Sequence, residues 1–171
     1  MSANNSTPSR STAAEEMSTE AVAPAPVLAP GVAASPEFVH VREMFESDRA
    51  TAFLGVTITE LDLGHCAGEF TVRPEMCNGH DTCQGGFLYA FADSLFAGAC
   101  NSYGDVAVAA HNSIHYLAPG FSGQRVEGVA TTRQSWGRNG IVDVTLRADG
   151  RDIAEFRGTY RVLPGKPEKR S

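Results

Sequence analysis

The run from Phe87 to Cys100 is apolar almost throughout, and inside it stands one carboxylate, Asp93, beside one hydroxyl, Ser94. Burying an ionised carboxylate in apolar surroundings is expensive unless it is paired or has a task. No Lys or Arg lies between Gly79 and Gly104 to pair with it locally. Such a carboxylate can draw a proton from water or attack a polarised carbonyl carbon itself. The competing reading is a solvent strip, shared with Ser94, that only adds solubility.

Ahead of that run lies Gln84-Gly85-Gly86. At a helix start, free backbone N–H groups and the positive end of the dipole can hold a developing negative oxygen, and glycines let a ligand approach the backbone closely. Glycine pairs also make turns and tight helix–sheet contacts, so the pair alone is weak evidence. Eight residues separate Gly85 from Asp93, roughly 12 Å along a helix. One helix cannot easily bring both groups to one carbonyl; two antiparallel copies can.

Other reactive side chains carry less. Cys77, His80 and Cys83 are spaced like metal ligands, with His65 and Cys66 as further candidates, but a second paired unit is missing and no metal is expected. His111 and His115 share a strand face with Ser113, yet four strand residues hold them roughly 13 Å apart, too far for one ion. Cys83 near a helix start suggests a nucleophile, but no His is fixed by sequence as its base. The four cysteines, Cys66, Cys77, Cys83 and Cys100, are read as reduced thiols of a cytoplasmic protein.

The elements that must position these groups follow from periodicity. Pro36 to about Ala52 reads as an amphipathic helix on Phe38, Val41, Met44 and Phe45, with Ser35 as N-cap. Two strand-like stretches, 53–63 and 66–72, flank Leu63-Gly64-His65 as a hairpin. The run opened by Gly85-Gly86 is too long for a strand and hydrophobic on all sides, so it is a central, buried helix ended near Asn101 and Gly104. Four strands follow, over 106–117, 125–134, 141–148 and 153–163, with Asp149-Gly150 as a tight turn. This order is α+β: one curved antiparallel sheet wrapped around one long helix. A sheet with a single helix on its concave face leaves edges and an outer face to cover, so a homo-oligomer, at least a dimer, is expected.

A chain of 171 residues suits one domain. Residues 1–36, rich in Ser, Thr, Ala and Pro, read as a disordered tail, 37–163 as the domain, and 164–171 as a flexible end. A transit peptide is disfavoured by Glu15, Glu16 and Glu20. No membrane span and no export signal are expected. The net charge of −6 argues against nucleic acid, although residues 121–171 carry ten basic side chains against six acidic. That basic excess is mostly arginine, which suits phosphate groups, or else an ordinary solvated sheet face.

The segment from Asn78-Gly79-His80 through Gln84-Gly85-Gly86 and Asp93 to Gly104 closely resembles the PaaI-type hotdog thioesterases, associated with aerobic phenylacetate degradation. The likeness continues through Val108-Ala109-Ala110, Ile114 to Pro119-Gly120, and Phe156-Arg157-Gly158, covering residues 37–163. It implies the hotdog fold and hydrolysis of an acyl-CoA, with Asp93 as general base or nucleophile. It further implies that Gly85 N–H polarises the thioester carbonyl and that Asn78 helps place the carbonyl or the water; the expected assembly is at least a dimer, extending to a tetramer as a dimer of dimers. Gln84 stands where the family usually has His; it donates a hydrogen bond but does not titrate near neutral pH. Asp81 adds a charge at a position that is usually neutral.

The expected function is therefore hydrolysis of an aryl-acyl-CoA such as (hydroxy)phenylacetyl-CoA, with no cofactor beyond the coenzyme A of the substrate. Gln84 and Gly86 are expected at the substrate, and Arg138 and Arg157 at the CoA phosphates. Phe87, Tyr89, Phe91 and Phe96 suit an aryl pocket, or are plain core. Two alternatives stay open: a dehydratase or hydratase using His80 with an acid, and a non-enzymatic acyl-CoA-binding module.

Overall fold

The computed structural model describes residues 25–165. Six antiparallel strands form one sheet in the order β1-β2-β4-β5-β6-β3: β1 is Thr57–Asp62, β2 His65–Thr71, β3 Ala107–Tyr116, β4 Arg125–Trp136, β5 Asn139–Ala148 and β6 Arg151–Val162. The helices are α1 (Val39–Glu46), α2 (Arg49–Leu54) and the long α3 (Gly85–Asn101), with single 3-10 turns at Pro36–Phe38 and Pro74–Met76. The hairpin around Leu63-Gly64 forms as expected. Asp149 and Gly150 both take positive φ, 51° and 75°, the backbone that a two-residue hairpin turn requires.

Helix α3 lies across the concave face of the sheet and only Gly86 on it is exposed, which is why its sequence is apolar all round. Phe91, Leu95, Phe96 and Ala99 are at most 2% exposed. The sheet beneath is cut away to receive them. A Cβ on Gly128 would come within 2.4 Å of Leu95, one on Gly68 within 3.1 Å of Leu95, and one on Gly158 within 2.5 Å of Phe96. Asn101 ends the helix and ties it to β3, accepting from Ala107 N at 2.9 Å and donating to Ala107 O at 3.1 Å.

Three expectations change. The single helix over 36–52 is broken at Ser47 and Asp48, because Asp48 caps a new helix: its Oδ1 accepts from Ala50 N and Thr51 N, both at 3.0 Å. Phe53 and Leu54 consequently belong to α2 and not to β1. Ser35 makes no cap bond, its hydroxyl turning to Glu37 instead.

The tail boundary also moves. Residues 1–24 of the expected tail lie outside the described residues, but 25–36 are packed. Ile58 N donates to Val27 O at 2.7 Å, Ala29 N donates to Ile58 O at 2.9 Å, and Val27 and Ala33 are buried. The apolar pair Val27-Leu28 covers the edge strand β1, whose outer groups would otherwise stay unpaired. Of residues 164–171, all beyond Gly165 lie outside the described residues. No helix among the described residues is long and apolar enough to cross a membrane.

Candidate active site

The loop after β2 carries Asn78, and its carboxamide oxygen accepts from His80 N at 2.9 Å, Thr82 N at 3.4 Å and Thr82 Oγ at 3.2 Å. These bonds fold the Asn-Gly-His-Asp turn, in which Asp81 takes a positive φ of 57°. The loop is then pinned from both sides: Cys83 N donates to Gly120 O and Gln84 N to Met76 O, each at 2.8 Å. It delivers Gln84 as the residue before α3, with no side-chain cap on the helix start. The amides of Gly85 and Gly86 lie in the first turn, where a helix offers them no carbonyl, and they find no partner among the described residues.

Gly85 is a glycine for a steric reason. The phenol of Tyr116 donates to Gly85 O at 2.8 Å, and a Cβ on Gly85 would meet the Tyr116 ring at 2.8 Å. A groove of about 500 Å³ opens here between Gln84-Gly85 and residues 116–120, lined also by Cys83 and Leu88. A second, almost wholly apolar pocket of about 360 Å³ lies on the other side of the helix start, between Phe53, Leu54, Gly86, Phe87 and Ala90.

Two turns further along α3, Asp93 is half-buried and its Oδ1 accepts from Asn112 Nδ2 at 2.8 Å. Desolvation raises the Asp93 carboxyl above its ordinary range, and the Asn112 bond pulls it back part of the way. Among the described residues Asp93 forms no ion pair. The solvent-strip reading therefore does not describe it. Ser94, its neighbour, is likewise tied inward, to Thr51 Oγ at 2.8 Å and Ala90 O at 3.1 Å.

Strand β3 runs antiparallel to α3 and, beyond the Asn101–Ala107 tie, bonds it at two further points, Asp93 and Gly85. Asn112 and Tyr116 point to the same face, about 13 Å apart on the strand, while Asp93 and Gly85 are about 12 Å apart on the helix. The two rises match, so one strand holds both ends of the site. Asn112 and Tyr116 were not singled out from the sequence; the signal was present in the inward positions 112, 114 and 116 of a strand that follows the helix directly. Within one chain, Gly85 and Asp93 stay apart, as the helix spacing required.

The remaining expected residues lie elsewhere. Arg157 is on the outer face of the sheet, clamped to Asp143 through Nε–Oδ1 at 2.6 Å and Nη2–Oδ2 at 2.7 Å, with Arg133 on the same carboxylate at 3.0 Å. Those pairs lower the Asp143 carboxyl and raise the Arg157 guanidinium. Arg138 is exposed in the β4–β5 turn, near β6 Arg161 and β3 Val108, at the sheet end away from Gly85; it has no ion pair among the described residues. His111, Ser113 and His115 face outward with Arg157 and Glu155, as the register of β3 against β6 requires.

Cys77 and Cys83 face each other across a bridge, and burial, then the Cys77 thiol, push the Cys83 thiol up to about 11, which disfavours it as a nucleophile. All four cysteines are free. No three His, Cys, Asp or Glu side chains converge as a metal site among the described residues.

Residues 80–155 match the thioesterase superfamily. The chain is 38% identical over 123 residues to the acyl-coenzyme A thioesterase PaaI of Escherichia coli K12, covering 71% of this chain and 88% of that protein. The structure of E. coli PaaI, from the phenylacetic acid degradation operon, superposes with a TM-score of 0.73, 35% identity and coverage of 75% and 94%. A mutant structure of the phenylacetic acid degradation protein PaaI from Thermus thermophilus gives 0.66, 35%, 68% and 100%. With 38% identity over 88% of E. coli PaaI, and a six-stranded antiparallel sheet around one long helix that superposes on 94% of that structure, this chain belongs to the PaaI-type acyl-CoA thioesterase family of hotdog-fold enzymes.

Proposed function

We propose that this thioesterase hydrolyses an aryl-acyl-CoA such as (hydroxy)phenylacetyl-CoA, with Asp93 as the base or nucleophile. The observation that carries this reading is a half-buried carboxylate with no cationic partner among the described residues, held by one amide. A carboxylate raised above its ordinary range is, once ionised, a better proton acceptor than one in water. The amides of Gly85 and Gly86 are free to meet the oxyanion that forms when the thioester carbon is attacked. The carboxylate either adds to that carbon or takes a proton from the water that does, and coenzyme A departs as the thiol. No resident cofactor is needed.

The site is completed by a second copy. Among the described residues strand β3, ten residues long, pairs as a strand only with β6, so beyond Ala107, which Asn101 holds, its other edge is an unpaired row of N–H and C=O groups, with Val108 43% and Tyr116 52% exposed. Two such edges joined antiparallel run the two α3 helices in opposite directions and bring Gly85 of one toward Asp93 of the other; a dimer of such dimers gives the tetramer. The apolar pocket at Phe53, Leu54 and Phe87 suits an aryl group. Arg138 suits a CoA phosphate. Arg157 would have to share Asp143 to do so, and Gln84 and Gly86 border the substrate.

The test is turnover of phenylacetyl-CoA and its ring-hydroxylated analogues, read as free thiol. Asp93→Asn is expected to retain fold and substrate binding and to lose at least about a thousandfold in kcat; undiminished hydrolysis by that variant sinks the assignment. His80 is exposed and its ring makes no hydrogen bond to an acid among the described residues, so a dehydratase reading gains no support from it.

A further inference from the structure

We propose that Asn112 is a positioning residue for the reaction, holding Asp93 by Oδ1 so that Oδ2 is the oxygen presented to the substrate or the attacking water. This rests on the role assigned to Asp93 above.

Asn112 Nδ2 is a donor only, and the 2.8 Å bond ties it to Asp93 Oδ1; Oδ2 takes no hydrogen bond among the described residues. A carboxylate at the end of a short side chain turns freely unless something fixes its plane, and no cation does so here. In either protonation state the held oxygen remains an acceptor, so the proton arrives at and leaves from Oδ2.

The amide is itself held in one orientation. Asn112 pairs with Gly158 on β6, and a Cβ at 158 would lie 2.7 Å from Asn112 Oδ1 and 2.5 Å from Phe96, so the missing side chain makes the room the amide occupies. Asn112 Oδ1 is buried there with no partner. Turning the amide over would set its oxygen against the Asp93 oxygen and leave two N–H groups dry, a larger penalty than the one already borne.

Among the described residues, no other group competes for this control. The sheet presents Cys66, Gly68 and Phe70 from β2, Val126, Gly128 and Ala130 from β4, Val142, Val144 and Leu146 from β5, and Phe156, Gly158 and Tyr160 from β6. α2 presents Thr51 to Ser94. The nearby thiols of Cys66 and Cys100 are both raised by burial, the latter to about 12, and stay neutral at working pH.

The experiment compares Asn112→Leu and Asn112→Asp with the wild-type protein. Asn112→Leu is expected to lose tenfold to about a hundredfold in kcat with KM within about twofold, matching loss of a hydrogen bond to a charged group. The acidic limb of its kcat–pH profile should move to higher pH, and Asn112→Asp should move it further, because two carboxylates then face each other. A merely structural role would lower the melting temperature and leave that limb in place. A readout free of turnover is the titration of the Asp93 carboxyl carbon by 13C NMR, assigned by its disappearance in Asp93→Asn and expected to follow the same order. If Asp93→Asn is inactive but both Asn112 variants keep the wild-type kcat, limb and titration, this inference fails and the role of Asp93 stands. If Asp93→Asn hydrolyses normally, the role of Asp93 fails first.

Discussion

Holding Asp93 ionised in place works against folding. Because burial raises its folded-state pKa above the unfolded value, the native state binds the proton more readily, and stability falls as pH rises through the window between the two. The deficit then persists at neutral pH. Asp93→Asn should therefore melt higher than wild type near pH 7 and lose that advantage once the pH is below the ordinary carboxylate range, as differential scanning calorimetry across pH would show. An inactive variant that is more stable is the pattern expected of a group kept for function. Asp93 was legible in the sequence because a lone charge in an apolar run is improbable without a task. Its partner was not legible, since Asn112 is nineteen positions away and only the pairing of β3 with β6 turns it inward. Asn78 was legible as a site-loop residue, but its oxygen turns out to fold the loop, a use that sequence does not distinguish from contact with substrate.

Among the elements, α2 carries more than its six residues suggest. Asp48 caps it, Thr51 Oγ donates to Asp48 Oδ2 at 2.6 Å, and the same hydroxyl meets Ser94 beside Asp93. Asp48→Ala should cost about 1–2 kcal/mol in urea denaturation and slow turnover modestly by loosening α3 from its brace. On the outer sheet face, Arg157 and Arg133 hold the Asp143 carboxyl below its ordinary range, with Arg157 dominant. Its stabilisation is present above the unfolded carboxylate pKa and is lost as pH falls through the lowered one. Asp143→Asn should cost no more than about 1 kcal/mol at neutral pH, shrinking in high salt, because the cluster is solvent-facing. The long helix and the later strands were readable from period and length. The break at Ser47 and Asp48 was missed because apolar spacing runs straight through it while the cap acts locally. Residues 25–36 were missed because a Pro- and Ala-rich composition says nothing about an open strand edge waiting to be covered.

At the scale of the whole molecule, the shared site proposed across the β3 edge would make activity depend on assembly. Sedimentation velocity should find a dimer or larger species. Val108→Lys, which sets a charge on that edge, should yield monomers that keep their secondary structure and release no thiol; an active monomer would refute the shared site. The bed of glycines under α3 adds a constraint of another kind. Gly68, Gly128 and Gly158 come from three different strands, yet together they set how deep the helix sits. A methyl group placed at residue 128 would act as a shim, lifting Leu95 and with it the adjoining turns of the same rod, Asp93 included. The depth of Asp93 is thus gauged by atoms the sheet does not have, and with the role proposed for that acid, catalytic efficiency can be detuned from beneath without altering any group that meets the thioester.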